Sequence, residues 1–128
     1  MDFEERANKA VELKHAHGCN CCQAVVMALA DQTNLKVDDL VNMAGSFGLG
    51  MGNMEATCGA LIGAGMILGL VTNGNRAAAR ALNETFKQKC GAITCEDLKG
   101  RFTGKVLCPC DDCVKNAVLA YGEMLEKI

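Results

Sequence analysis

The sequence predicts an all-α fold, a compact bundle of about five to six helices in one domain over residues 1–128, built around a central glycine-rich buried helix. Three observations lead there. Apolar residues recur at helical spacing in most segments, whereas no sustained period-two run bounded by hairpin turns occurs and no internal repeat shows. From Ala56 to Val71 no residue is charged, and Gly59, Gly63, Gly65 and Gly69 recur at helical spacing. Such a run reads as a buried helix whose missing side chains let neighbouring backbones approach closely. At 16 residues, it is shorter than the roughly 20 apolar residues a bilayer demands, so a core helix is expected in place of a membrane span.

The elements follow in order. Asp2 can cap a first helix running to about His17, with Gly18 available for a left-handed end. Asn20 is a good N-cap for a second helix, in which Cys21 takes the first position and Cys22, Val25, Val26 and Leu29 form the apolar face, ending near Asp31. Asp38 to Phe47 reads as a short third helix, opened by paired aspartates and closed by Gly48, Gly50 and Gly52. In the glycine-rich helix Cys58 is expected in the first turn. After the turn TNGN, Asn75 can cap RAAARALNETFKQKC, which ends at Cys90 and Gly91. Thr94 and Asp97 resemble a capping box that would start a short turn at Cys95. KGRFTGKV is expected to be loop, and Pro109, Asp111 and Asp112 mark the start of an amphipathic last helix carrying Val114, Ala117, Val118, Tyr121 and Leu125.

Composition narrows the function. The formal charge of -2, the single tyrosine, the four phenylalanines and the absence of tryptophan argue against a nucleic-acid surface. Nine cysteines is an outlying and odd number. The acidic, helical start MDFEERANKAVELK lacks the pattern of a signal peptide, so the expected compartment is the reducing cytoplasm, where thiols serve as ligands or redox partners more often than as static crosslinks. The expected helix starts carry Cys21, Cys58, Cys95 and the Cys110–Cys113 pair. Free N–H groups and the positive end of the helix dipole favour a thiolate there, so bringing these starts together would make a site for a metal centre or an anionic ligand.

NCCQAV at Asn20 to Val25, GLGMGNMEATCGALIGA at Gly48 to Ala64, TCEDL at Thr94 to Leu98 and the late Cys113 together resemble the redox-active C_GCAxxG_C_C family. The resemblance runs from about Ala7 to the end, and CGALIG is its most specific element. It implies that Cys21, Cys58, Cys95 and Cys113 are the recurrent cysteines and that the protein is redox-active. Relatives joined to haem-binding segments in split-Soret cytochromes have been assigned an iron–sulfur centre; this chain has no C-x-x-C-H for covalent haem. It departs from the family pattern at Cys22, where a small residue is usual, and in its additional Cys19, Cys90, Cys108 and Cys110.

Three chemistries compete for the sulfur. The first is an iron–sulfur cluster on Cys21, Cys58, Cys95 and Cys113, with 2Fe–2S favoured over 4Fe–4S, serving electron transfer to a redox partner protein. The second is thiol–disulfide exchange, with Cys110 as nucleophile and Cys113 as resolving thiol. The third is a structural zinc on Cys108, Cys110 and Cys113 with Cys95, Cys90 or a histidine as fourth ligand. Cys22 reads as core filler in each case, and Cys90 does so unless it is that fourth zinc ligand. His15 and His17 read as solvated residues of a helix end, the methionines as core filler, and GLGMGN, which lacks the lysine of a phosphate loop, as a tight turn. Close packing through the glycine-rich helix would support a homodimer.

Overall fold

The computed structural model describes residues 2–127, and among them the fold is all-α with no strand. Seven α-helices follow in order: α1 Phe3–Ala16, α2 Cys21–Ala28, α3 Val37–Met43, α4 Gly59–Thr72, α5 Arg76–Cys90, α6 Cys95–Lys99 and α7 Cys110–Lys127. Short 3-10 turns at Ala30–Gln32 and Ala44–Ser46 and a π-type turn at Gly50–Met54 join them.

Side chains that satisfy otherwise unpaired amides set the helix starts. Asp2 accepts from the Glu5 N–H at 2.8 Å, and Asn75 accepts from the Ala78 N–H at 3.1 Å. Asn20 and Gln23 form a reciprocal capping box with bonds of 2.8 and 3.0 Å, which fixes Cys21 as the first residue of α2. Gly91 closes α5 in a left-handed conformation. The buried side chains form one core, in which α7 packs on α1, α2, α4 and α5 while α4 packs along α2. Tyr121, Phe86, Leu61, Ile67 and Leu29 are among its fully buried side chains. Among the described residues no helix is long and apolar enough to cross a membrane.

Several element ends differ from the sequence expectation. The second helix stops at Ala28 and reaches Gln32 only through a 3-10 turn, and the third splits into α3 and the turn Ala44–Ser46. The glycine-rich helix begins at Gly59, so Cys58 is its N-cap and does not lie in the first turn. The cause is a backbone pairing with the segment before α6: the Cys58 N–H donates to the Ile93 carbonyl at 2.7 Å, the Cys95 N–H donates to Ala56 at 3.0 Å, and Thr57 bridges Thr94. The Thr94 side chain makes no capping bond, so the expected capping box does not form; the carbonyl of Ala56 holds the start of α6 from outside.

Two glycines explain how closely α2 and α4 approach. A Cβ on Gly59 would lie 2.7 Å from the Cys21 sulfur, and one on Gly63 would lie 2.9 Å from the Cys22 carbonyl oxygen. Gly69, on the same helix, has no heavy atom within 4 Å of such a position. Gly63→Ala is therefore expected to destabilise the fold by about 1–3 kcal/mol through overpacking, whereas Gly69→Ala should be neutral or stabilising by up to ~1 kcal/mol through helix propensity. Thermal or urea unfolding of the two variants checks the opposite signs.

Candidate functional site

Four cysteines line one cavity of about 300 Å3: Cys21, Cys58, Cys95 and Cys110, with Lys14, Lys99, Asn20, Leu49 and Gly59 completing its wall. Each sulfur comes from a different helix start. Cys21, Cys95 and Cys110 are the first residues of α2, α6 and α7, and Cys58 caps α4. The pairing of Ala56–Cys58 with Ile93–Cys95 sets the latter starts side by side, and Gly59 leaves room for the Cys21 sulfur. On the fourth side Leu49 is held at φ 54° at the head of the π-type turn, and Gly50, at φ 56°, lets the backbone pass where a Cβ would lie 2.7 Å from that of Cys95. Backbone in this region is unfavourable for a residue such as Leu49 and persists only where its surroundings enforce it.

A second sulfur group lies next to the first. The sulfurs of Cys90 at the end of α5, Cys108 in the loop, and Cys113 one turn into α7 lie within 4.8 Å of one another, and all three residues are buried. Asn116 directs its Nδ2 at the sulfurs of Cys90, at 3.4 Å, and Cys108, at 3.9 Å, while the Cys113 thiol donates to the Cys108 carbonyl at 3.5 Å. This group could hold a metal ion. The two groups adjoin where Cys113 meets Cys58.

Proton sharing divides the thiols into donors and acceptors. Cys110 is brought down to about 5, first because Cys21 donates to it and then because Lys99 and Lys14 stand beside it, against the opposing effect of burial. Cys21 is pushed up as the donor of that pair and by burial. Cys58 is lowered by the thiol of Cys113 and by the amides of Leu61 and Ala60 at the open start of α4. Cys113, facing both Cys58 and Cys90 and buried, is held strongly protonated. Cys90 falls to about 6 through Cys113 and Asn116, burial pushes Cys108 up to about 11, and burial also raises Cys95. Among the helix-start thiols only Cys58 and Cys110, which each have another thiol donating to them, are lowered; Cys95 is raised although Lys99 stands beside it.

Of the cysteines expected to act together, Cys21, Cys58 and Cys95 share the cavity, while Cys113 sits behind Cys58 with Cys90 and Cys108. Cys110 lines the cavity in its place. The C-x-x-C pair is divided between the two groups, so the thiol partner of Cys110 is Cys21 and not Cys113. The expected zinc set is divided likewise: Cys108 and Cys113 are joined by Cys90, one of the residues named for the fourth position, while Cys110 and Cys95 belong to the cavity. Cys22 is fully buried in the core, and Cys19 is half-buried with its sulfur 3.5 Å from that of Met27. His15 pairs with Asp111 at 2.7 Å. Sequence reasoning missed Lys14 and Lys99 as parts of the site. Lys14 is held by Asp111 at 2.8 Å, a contact spanning almost the whole chain for which no local pattern gives a signal.

A search of curated proteins and one of solved structures each return no match. A family model described as "Putative redox-active protein (C_GCAxxG_C_C)" matches residues 19–124. That span takes in every cysteine of both sulfur groups and most of the helices that position them, and the chain belongs to the C_GCAxxG_C_C family.

Proposed function

We propose that the protein is an iron–sulfur redox protein in which Cys21, Cys58, Cys95 and Cys110 hold a cluster within the cavity. The observation that carries this reading is the arrangement of four thiols, from four helix starts, around one space of about 300 Å3. Among the described residues the three-sulfur group tight enough for a single ion is the other one, Cys90, Cys108 and Cys113. Thiols spread around a wider space suit a multi-iron core, for which four cysteine ligands are the usual complement. Such a cluster would supply one-electron exchange with a partner protein, and the smaller 2Fe–2S core is favoured. The chain's own residues do the rest. Lys14 and Lys99 offset the negative charge of the assembled thiolates, and the amides at the start of α4 support that of Cys58. Leu49 supplies an apolar wall, and Cys110 is half-buried where the other three cysteines are buried.

Anaerobic reconstitution with iron and sulfide tests the assignment. The wild type is expected to gain visible sulfur-to-iron absorption that bleaches on reduction. Cys21→Ala, Cys95→Ala and Cys110→Ala should each bind iron roughly tenfold less or worse. Cys113→Ala, with helix content intact by circular dichroism, should keep the chromophore. A wild type that stays colourless and free of iron and sulfide after reconstitution removes this reading.

The pairing of Cys110 with Cys21 favours thiol–disulfide exchange as a second reading. The Cys110 thiolate would attack a disulfide of a partner, forming a mixed disulfide and expelling one partner thiolate. Cys21 would then attack the Cys110 sulfur, expelling the second partner thiolate, so that the partner gains two electrons, the chain is left with a Cys21–Cys110 disulfide, and the Cys21 proton and one from solvent complete the partner's thiols. Metal-free, reduced protein provides the check. With Cys110 at about 5, its alkylation by iodoacetamide should remain near its plateau at pH 6 and fall only as pH drops through that value. An ordinary thiol near 8.5 loses about tenfold per pH unit over the same range. Lys99→Ala should move the Cys110 profile to higher pH, because a cation that favours the thiolate is gone. Mass spectrometry of the labelled peptide reads both effects.

A further inference from the structure

We propose that Cys90, Cys108 and Cys113 form a second metal site, separate from the cavity, for a thiophilic divalent ion of the zinc class. The three sulfurs already lie within 4.8 Å of one another. Zinc–sulfur bonds of about 2.3 Å in tetrahedral geometry place sulfur pairs roughly 3.8 Å apart, so a small inward movement completes the ligation. Soft thiolates select such an ion over magnesium or calcium, and each bound thiol gives its proton to solvent. The sulfurs are buried, and a surface pocket of about 370 Å3 lined by Cys108, Asp112 and Asn116 provides the way in. Water entering by that pocket, which Asp112 also lines, would supply the fourth ligand.

The location of the ligands suggests what the ion does. Cys90 ends α5, Cys108 closes the loop after α6, and Cys113 lies in the first turn of α7. That loop includes the exposed Phe102, Val106 and Leu107 and is tied back mainly by the Leu107 and Cys108 N–H groups, which both donate to the Leu98 carbonyl at 2.9 and 3.2 Å. An ion there would tie the loop to the ends of two helices that already pack together, α5 and α7. It would also fix Cys110, which lies between two of the ligands in the chain. The assignment does not depend on what fills the cavity.

The experiment loads reduced full-length protein with zinc, removes the excess and measures retained metal. The wild type, Cys21→Ser and Cys95→Ser are expected to keep about one ion per chain, and Cys90→Ser and Cys108→Ser to bind roughly tenfold more weakly or worse. Should those last variants not fold, the alkylation pattern of the zinc-loaded wild type locates the ion. Bound zinc should protect Cys90, Cys108 and Cys113 from alkylation while leaving Cys19 reactive, and cobalt in its place should show thiolate charge-transfer absorption. A wild type that retains no zinc, or one whose zinc is lost in Cys21→Ser or Cys95→Ser yet kept in Cys90→Ser, overturns the proposal. Zinc retained by a protein that takes up no iron or sulfide would sink the cluster reading and leave this one standing.

Discussion

Close approach of the Cys21 sulfur to the backbone of Gly59 is the contact on which the rest of the structure depends. A side chain at position 59 would collide with the Phe47 carbonyl oxygen and come within 2.7 Å of that sulfur, so the segment before Gly48 and the start of α2 could not both lie against the start of α4. Gly63 repeats the requirement one turn later, where α4 meets the Cys22 carbonyl. The CGALIG motif is therefore a packing device as much as a chemical one. It brings a helix start bearing one thiol against a helix start bearing another, and the short backbone pairing of Ala56–Cys58 with Ile93–Cys95 adds a third. Only Cys110 enters from α7, the long helix that spans the core.

Once the thiols are gathered, electrostatics works against them. Several buried thiolates repel one another, and burial penalises each, so without a metal the protein keeps some protonated to stabilise others. Cys21 gives a proton to share with Cys110, and Cys113 does so for Cys58 and Cys90. Lys14 and Lys99 supply the positive charge that the helix starts alone do not, and Asp111 positions the former.

Most of the helical architecture was legible in the sequence because it is written in local terms: Asp2, Asn20 and Asn75 as caps, Gly91 as a stop, and an uncharged glycine-spaced run for the buried helix. The start of that run was placed too early because its limit is set by residues 93–95, far away along the chain. Proximity of Cys110 and Cys113 in sequence likewise concealed their separation in space. They lie three residues apart at one helix start, and only the packing of α7 against α4 and α5 decides that one thiol enters the cavity while the other turns to Cys90. Cys90 looked inert for the same reason, since burial alone does not distinguish a core thiol from one that faces two others.

The adjacency of the two sulfur groups has a further physical consequence. Cys113 meets Cys58 on the cavity side and Cys90 on the other, while its thiol donates to the Cys108 carbonyl at 3.5 Å. Loss of the Cys113 proton places a second negative sulfur beside Cys58 and makes further charge in the cavity more costly. Negative charge on either group therefore raises the cost of charge on the other, because Cys58 and Cys113 are buried neighbours.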